Sequence, residues 1–204
     1  MLKDLQHAIT THRGTFLCEA LGDASLTRTI AFRHEVEPAM AGHELPDIPG
    51  LRAFYATFDS VLFYADAGSG DAAILIAAPA QWGELRDGFD GWTEHMDAEE
   101  REEYLPEWEA SALVIGEEPQ TGNYLLMPTT GEEAGRVFLF DHDGFEFIEQ
   151  APDLPRYAHS LLDPDDTALR MIASHMRFIE ADGGTQWWIR ELHDNRGNTA
   201  RTGD

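Results

Sequence analysis

The middle of the chain alternates between short apolar runs and turn-forming residues. The apolar runs stand at 112–115, 124–127 and 137–140. Each run is bounded by Gly, Pro, Asp or Asn, which is typical of short strands separated by tight turns. Phe145 and Phe147 then alternate with a glutamate, and Leu154-Pro155 opens a helical stretch that ends at Leu162. The pattern therefore predicts that residues 111–162 form several strands followed by one helix.

Two stretches upstream show helical spacing instead. The first places four apolar residues at i, i+3, i+4 and i+7, on one helical face: Leu51, Phe54, Tyr55 and Phe58. The second draws an apolar stripe at spacings of 3, 4, 3 and 4: Trp82, Leu85, Phe89, Trp92 and Met96. An aromatic stripe of this kind is more often part of a core than the lining of a pocket.

The N-terminal third of the chain has a less uniform pattern. A helix is predicted at 2–9, and strands are predicted at 61–64 and 72–78. Residues 16–21 and 27–32 fit either a strand or a helical turn. A helix followed by strands around a Gly-rich turn indicates an α+β fold.

Helix signals return after residue 162. Asp163-Pro164 predicts the start of a helix whose apolar face extends to Ile179. Residues 185–192, which include two adjacent tryptophans, are expected to add a strand or a packing arm. Residues 195–204 are polar and are expected to form a frayed tail.

Charge is the strongest global feature of the sequence. Fourteen Lys and Arg residues stand against 38 Asp and Glu residues, which gives a formal net charge of −24 over 204 residues. Such a chain repels nucleic-acid backbones and anionic lipid surfaces, so neither is expected as a partner. It attracts a basic protein and associates with it quickly. The alternative is that the charge serves only solubility, and composition by itself favours that alternative.

Sequence features also bear on the compartment. No apolar run approaches the roughly 18 residues of a transmembrane helix. The first residues lack the basic start and continuous apolar core of a secretory signal. Cys18 is the single cysteine and has no partner for a disulfide within the chain, which agrees with a reducing compartment. We therefore expect a cytoplasmic location, with Cys18 as a buried small apolar residue.

The sequence Asp141-His142-Asp143-Gly144 is the most suggestive local cluster of titratable groups. Alternate residues of a strand point to opposite faces, so His142 is not expected to share a face with the two aspartates. An Asp-Gly step between apolar strands is also the expected hairpin turn. The segment is therefore interpreted as a turn and not as a metal site.

Other catalytic patterns are missing from the sequence. The nine histidines are scattered, and none forms a His-x-x-x-His pair. Lys3 is the only lysine, which argues against lysine-based phosphate binding and Schiff-base chemistry. We therefore expect no catalytic residue, no metal and no cofactor. A small enzyme or ligand-binding domain is kept as the alternative, with Trp82, Phe89 and Trp92 or Trp187-Trp188 lining a pocket.

The central block resembles a known family. In order along the chain, the block contains Ile115-Gly116, Gly122-Asn123, and Gly135-Arg136-Val137 running into Asp141-His142-Asp143. An aromatic residue and the 154–162 helix follow. This order is similar to that of the SUKH superfamily. That superfamily comprises cell-wall-synthesis regulators of the Smi/Knr type and their bacterial relatives. Leu51-Arg52-Ala53-Phe54-Tyr55 resembles its early helix. Departures are Gly122-Asn123, where the family commonly has Gly-Asp, and Asp59-Ser60, where it has Asn-Gly.

The resemblance implies a single α+β domain over 1–204, with a curved mixed or antiparallel sheet flanked by helices. Its core would be about 46–162, with a helical insertion at 81–108 and a helical C-terminal extension at 163–204. Bacterial members are largely immunity proteins that bind and neutralise a cognate toxin, often a nuclease. Such inhibition requires no catalytic residues.

The two arguments, charge and resemblance, lead to one functional hypothesis. A basic toxin is expected to bind an acidic surface of this chain. Asp97 is a suitable cap for a short helix at 98–104, which carries the densest acidic run in the sequence. The residues expected to bind the partner are Glu99, Glu100, Glu102, Glu103, Glu117, Glu118, Asp141 and Asp143.

Overall fold

The computed structural model describes residues 2–68, 71–162, 177–179 and 185–201. Within these residues, eleven strands form one sheet and five α-helices flank it. The helices are α1 (Leu2–Thr11), α2 (Pro49–Tyr55), α3 (Trp82–Thr93), α4 (Ala98–Tyr104) and α5 (Leu154–Leu162). The strands are β1 (Gly14–Ala20), β2 (Asp23–Pro38), β3 (Phe58–Asp66), β4 (Ile74–Ile76), β5 (Ala112–Glu118), β6 (Asn123–Pro128), β7 (Val137–Asp141), β8 (Glu146–Ala151), β9 (Arg177–Ile179), β10 (Gln186–Asp194) and β11 (Thr199–Arg201). The predicted single-domain α+β architecture is confirmed.

The sheet is largely a meander. Its spatial order is β11-β10-β1-β2-β3-β4-β5-β6-β7-β8, and β9 also pairs with β10. Every pairing is antiparallel. From β1 to β8, neighbours in space are also neighbours in sequence. The exception is β10, which returns to pair with β1 from Gly14↔Asp194 to Ala20↔Trp187.

Alternation along the strands distributes the apolar residues between two sides of the sheet. On β6, Leu125 and Met127 belong to a large buried cluster, whereas Leu126 belongs to a smaller one. The large cluster includes residues of α1, α2 and α5, and the smaller cluster includes Leu85 and Phe89 of α3. The sheet is therefore covered by three helices on one side and by α3 on the other, over β5–β7.

The apolar stripe of α3 is mainly a packing face, as its spacing predicts. Leu85 and Phe89 are buried, and the Phe89 ring meets Phe140 edge-on at 5.1 Å between centroids. A Cβ atom on Gly88 would lie 2.6 Å from the Tyr124 hydroxyl oxygen, so glycine leaves room for the Tyr124 side chain against α3. Trp92 differs from the rest of the stripe because 42% of its surface is exposed.

Several boundaries differ from the sequence predictions. Phe58 was expected on the face of α2, but that helix ends at Tyr55 and Phe58 begins β3. The Phe58 ring still packs on Phe54 at 4.9 Å, because a buried ring can reach the same core from either element. The strand expected at 72–78 is limited to Ile74–Ile76. Residues 16–21 and 27–32, left open between strand and helix, lie mostly within β1 and β2.

The C-terminal part contains more strand than expected. The predicted helix reaching Ile179 is wrong for Arg177–Ile179, which pair with β10, and its earlier residues lie outside the described part of the chain. Residues 185–192 do contribute a strand. The frayed tail is wrong for Thr199–Arg201, which pair with Glu191–His193. Pairing with β10 decides the conformation in both places, because it satisfies backbone groups that local sequence leaves unassigned.

Candidate protein-binding surface

The tip of the β7–β8 hairpin is a four-residue turn at 142–145, as the sequence predicts. The Asp143 backbone N–H donates to Asp141 Oδ1 at 3.1 Å, and Phe145 adopts a left-handed φ of 51°. His142 was predicted to lie on a different face from the two aspartates, and this prediction is wrong. Ligand atoms of Asp141, His142 and Asp143 lie within 4.8 Å of one another. Strand alternation ends at Asp141, so it does not orient the next two side chains.

Asn123, at the start of β6, fixes the orientation of His142. Its Oδ1 accepts the His142 backbone N–H at 3.0 Å and lies 2.8 Å from His142 Nδ1. Its Nδ2 donates to Glu118 Oε2 at 2.8 Å. Because Oδ1 can only accept, His142 Nδ1 must carry a proton. The other ring nitrogen, Nε2, then faces Asp143 Oδ1 at 3.1 Å.

This geometry defines what the hairpin tip could bind. Asp141, His142 and Asp143 together offer two carboxylates and one imidazole, which is a donor set compatible with a divalent cation. The Asp143 side chain is 89% exposed, and a proton on His142 Nε2 would satisfy the same contact as an ion pair. Asp141 is already used by the turn. The arrangement is therefore equally well explained as a hairpin tip with an exposed ion pair.

Trp92 covers the imidazole of His142. The two ring centroids are 5.0 Å apart. A Cβ atom on Gly122 would lie 2.8 Å from Trp92 Cζ2, and Gly122 has a φ of +88°, which favours glycine on backbone grounds as well. Gly122 therefore leaves room for the indole. The result is a large aromatic ring held in place at the surface, on the Asn123–His142 pair.

Helix α4 presents its glutamates to solvent. Asp97 accepts backbone N–H groups of Glu99 and Glu100, and the Glu100 carboxylate accepts the Asp97 N–H, which completes a capping box. No residue of α4 is buried. Glu99, Glu100, Glu102 and Glu103 are all exposed. Asp97 thus acts as the predicted cap, and the helix is an acidic surface element.

Two arginines hold α4 against α3. Arg101 of α4 donates to the Thr93 carbonyl at 3.1 Å and lies 3.6 Å from Glu109. Arg86 of α3 also pairs with Glu109. Glu109 is 3% exposed and therefore contacts both arginines in a largely desolvated setting. These contacts orient α4, so its four exposed glutamates have defined positions.

The C-terminal end of α4 meets the hairpin tip. The Tyr104 ring meets Phe145 edge-on at 6.2 Å, and Phe145 meets Phe140 at 5.0 Å. Tyr104 remains 49% exposed. The structure therefore brings the predicted acidic helix and the predicted acidic turn to one surface. We define the acidic face by its exposed residues: Trp92, Glu99, Glu100, Glu102, Glu103, Tyr104 and Asp143.

The other predicted binding residues are less available. Glu118 is half-buried and accepts the Asn123 amide. Glu117 is half-buried, and burial, followed by the nearby charge of Glu84, raises the pKa of its carboxyl group. Asp141 caps the turn. Glu118 and Asp141 therefore support the acidic face structurally, and Glu117 is partly withdrawn from solvent. Sequence position alone does not reveal these differences.

An open pocket of about 680 Å³ lies beside Trp108. It is lined by Glu107, Trp108, Ala110, Ser111, Thr130, Gly131, Glu132 and Glu133. The aromatic residues proposed from the sequence to line a pocket are not in this wall. Phe89 is fully buried in the core, and Trp187 is 9% exposed with Arg28 over its ring at 5.7 Å.

No family model matches the chain, and no curated protein or solved structure matches it. Among the described residues, no helix has the length and apolar character needed to cross a membrane.

Sequence reasoning did not identify three residues that shape this surface. Asn123 was noted only as a departure from a Gly-Asp pattern, and its partner Glu118 explains why an amide fits there. An aspartate could not donate to that carboxylate. Trp92 was placed with the core stripe because periodicity does not show where a helix extends past the sheet it covers. Tyr104 carried no signal, since a single aromatic after an acidic run is common.

Proposed function

We propose that this chain is a non-catalytic protein-binding module, an immunity protein that neutralises a basic toxin such as a nuclease through its acidic face. One observation carries the proposal. Trp92 and Tyr104 are 42% and 49% exposed beside the exposed carboxylates of α4 and Asp143. Large aromatic residues of this kind dominate the binding energy of protein interfaces, whereas surrounding charges contribute steering and specificity.

The chemistry of the face favours a partner rich in arginine. Guanidinium groups stack on exposed aromatic rings and form bidentate pairs with carboxylates. Trp92 and Tyr104 offer the rings, and Glu99, Glu102 and Glu103 offer carboxylates. A nuclease that binds nucleic acid exposes such a basic groove. The acidic face would occupy that groove in place of the phosphate backbone.

The supporting contacts make the face suitable for rapid, specific binding. Helix α4 is capped by Asp97 and tied to α3 through the buried Glu109, and Trp92 rests on His142. A surface that is already ordered loses less conformational entropy on binding. The net charge of −24 adds long-range attraction for a basic partner.

The test measures association with proteins that are encoded next to this gene and purified as inactive variants. Association is followed by stopped-flow fluorescence at salt concentrations from roughly 0.05 to 0.5 M, because the Debye screening length changes over this range. We expect the Glu102→Lys/Glu103→Lys variant to associate about tenfold more slowly at low salt. The Trp92→Ala variant should instead dissociate at least tenfold faster. Both variants should remain folded under the assay conditions, although Trp92→Ala also loses the packing of the ring on His142 and Phe140, and thermal unfolding of each variant checks this.

The matched control reverses the same number of charges elsewhere. Glu44→Lys/Asp47→Lys changes two exposed acids in the connection before α2, with an equal change in net charge. If this variant slows association as much as the α4 variant does, only net charge matters and the acidic face is not the binding site. Association that responds neither to salt nor to the α4 charges would refute a steered acidic interface altogether.

The pocket beside Trp108 supports one alternative, a ligand-binding domain. Its wall combines an indole with Glu107, Glu132 and Glu133, which suits a small cationic molecule. Titration with tetramethylammonium while Trp108 fluorescence is compared with that of Trp108→Phe would detect such binding. Saturation at sub-millimolar concentration, together with no binding to neighbouring gene products, would favour this alternative over the immunity function.

A further inference from the structure

Two buried histidines and one aspartate form a continuous hydrogen-bonded chain between distant parts of the sequence. His34 Nε2 lies 2.8 Å from His12 Nδ1, and His12 Nε2 lies 3.1 Å from Asp194 Oδ2. The His12 and Asp194 side chains have no exposed surface, and His34 is 8% exposed. His12 follows α1, His34 lies on β2, and Asp194 ends β10. The chain is independent of the acidic face.

The Tyr64 backbone fixes the direction of every hydrogen bond in this chain. Tyr64 sits at a bulge where the β2–β3 register shifts between Arg33 and Glu35, and its φ is 58°. Its freed N–H donates to His34 Nδ1 at 2.9 Å. A backbone N–H can only donate, so His34 Nδ1 must be unprotonated and its proton must be on Nε2.

The remaining protons follow from that one donor. His34 Nε2–H donates to His12 Nδ1, which leaves the His12 proton on Nε2, where it donates to Asp194 Oδ2. Asp194 Oδ1 also accepts the backbone N–H groups of Arg196 and Asn198, at 2.9 and 2.8 Å. Asp194 therefore receives donors only, as an ionised carboxylate requires. We call this set of four groups the histidine relay: Tyr64 N–H, His34, His12 and Asp194.

The relay has no place for another proton. A proton on His34 Nδ1 would oppose the Tyr64 N–H, and a proton on His12 Nδ1 would oppose the His34 Nε2–H. Either addition breaks one hydrogen bond in a largely buried site. Both histidines are therefore neutral while the relay is intact, although an exposed histidine accepts a proton near pH 6.5.

The charges that face the relay do not change this conclusion. Among the described residues, they are Asp194 and Arg196 from β10 and the turn after it, and Tyr64, a neutral phenol, from β3. The Arg196 guanidinium donates to the Leu162 carbonyl. The Tyr64 hydroxyl donates to the Leu161 carbonyl at 2.6 Å. Burial, then His12 and Arg196, lower the pKa of His34 to about 3. Burial disfavours the charge on Asp194, but hydrogen bonds from Asn198 and His12 outweigh it and lower its pKa.

The relay lies where early and late parts of the described chain meet, near the β10 end of the sheet. Beside it, the Asn195 backbone N–H donates to the Arg13 carbonyl at 2.8 Å, and Asn195 Nδ2 donates to the Thr11 carbonyl at 2.9 Å. The turn after β10 thus binds the end of α1, while β10 itself pairs with β1. Opening the relay would loosen the contact between this turn and α1.

We propose that the histidine relay is an acid-sensitive joint between three elements. At neutral pH it holds the β10–β11 turn against α1 and the β2–β3 bulge, and it opens when a histidine takes up a proton from solvent. The direction of the pH effect follows from how the open and closed states of the joint bind protons. The open joint binds protons below about pH 6.5, and the closed joint does not. The opening equilibrium constant should therefore rise about tenfold per pH unit below 6.5 for each histidine that becomes protonated.

Hydrogen exchange on the unmodified protein tests this directly. The amides of Tyr64 and Asn198 donate to the relay and report its opening, and the Leu126 amide in β6 serves as an internal reference. After correction for intrinsic exchange, protection at Tyr64 and Asn198 should fall about fivefold from pH 6.5 to 5.5 if one histidine is protonated on opening, and about thirtyfold if both are, with little change at Leu126. Equal loss at all three amides, or no loss at any, would overturn the proposal.

Imidazole ¹⁵N spectra give a second readout that does not require a variant. They should show His34 protonated at Nε2 and His12 protonated at Nε2 at pH 7. His34 titrating near pH 6.5 while the Tyr64 amide stays protected would contradict the proposal, because the proton would then fit the closed relay.

A variant separates titration from mere packing. His34→Asn keeps an oxygen acceptor near the position of Nδ1 for the Tyr64 N–H but removes the titratable ring. Between pH 6.5 and 4, its unfolding equilibrium constant should rise less steeply than that of the unmodified protein, and the difference should be up to tenfold per pH unit. His95→Asn is the control, since His95 is 89% exposed and should leave the pH dependence unchanged. An unchanged pH dependence in folded His34→Asn would refute the role of His34.

Discussion

Two of the contacts between histidine and aspartate in the described residues differ in nearly every physical respect. In the histidine relay, the His12 and Asp194 side chains have no exposed surface. At the hairpin tip, His142 is 23% exposed and Asp143 is 89% exposed. The distances are equal, at 3.1 Å between Nε2 and the carboxylate oxygen in both pairs. Distance alone therefore does not distinguish them.

The difference lies in what replaces water. Around Asp194, backbone and side-chain donors occupy both carboxylate oxygens, so the loss of any one leaves a buried group unsatisfied. Around Asp143, water replaces any donor that is lost. The same pair of residue types therefore holds elements together in one place and shapes a solvent-facing surface in the other. Burial, more than composition, assigns these roles.

The largest effect is expected for Asp194→Asn. The asparagine amide would point N–H groups at the donors that now reach Asp194. The hydrogen bonds of the relay cannot change direction to accept them, because the Tyr64 N–H at the other end cannot become an acceptor. We expect a loss of about 2–3 kcal/mol in the free energy of unfolding, measured by urea denaturation at pH 7. A loss below about 0.5 kcal/mol would show that the relay does not have a fixed direction.

An intermediate, pH-dependent effect is expected for Asn123→Asp. The new carboxylate would lie against Glu118 Oε2, which now accepts from Asn123 Nδ2 at 2.8 Å. Two close carboxylates raise the pKa of one of them, so the folded variant binds a proton more tightly than the unfolded chain. The variant should therefore lose stability as pH rises from 5 to 7, relative to the unmodified protein.

The double variant Glu118→Gln/Asn123→Asp provides the control for that prediction. It keeps the new carboxylate but removes its like-charged neighbour. Its stability should regain the pH dependence of the unmodified protein between pH 5 and 7, as followed by thermal unfolding at each pH. If the double variant behaves like Asn123→Asp alone, repulsion from Glu118 is not the cause.

The smallest effect is expected for Asp143→Asn, the exposed counterpart of Asp194→Asn. Its carboxylate is 89% exposed and its partner, His142, remains held by Asn123. The free energy of unfolding should change by no more than about 0.5 kcal/mol. A loss as large as that of Asp194→Asn would mean that the hairpin tip is a structural centre and not a surface feature.

Much of the fold could be predicted from the sequence because local signals agree there. Strands β5–β7 are short apolar runs between turn residues, and α4 begins at a capping aspartate. The C-terminal strands could not be predicted in the same way. Arg177–Ile179 and Thr199–Arg201 are strands because β10 lies beside them, and that neighbour is a tertiary fact.

The candidate site could likewise be predicted from the sequence only in part. The glutamates of α4 and Asp143 are visible as an acidic run and an acidic turn. Their meeting through Tyr104 and Phe145, and the support of His142 by Asn123, depend on which strands are neighbours. His12 and His34 were counted as scattered, since 22 positions separate them in sequence. Only the register of β1 and β2 places them side by side.

The pairing of β10 with β1 has a consequence for how the chain reaches this structure. His12 and Asp194 are 182 positions apart, so the edge of β1 that β10 covers stays open until a late part of the chain has been synthesised. Contacts of such long range slow folding, and an uncovered strand edge invites pairing with another chain. During translation, β1 therefore keeps an uncovered edge until β10 is made, and a chain stalled before residue 186 would expose that edge to pairing with another chain.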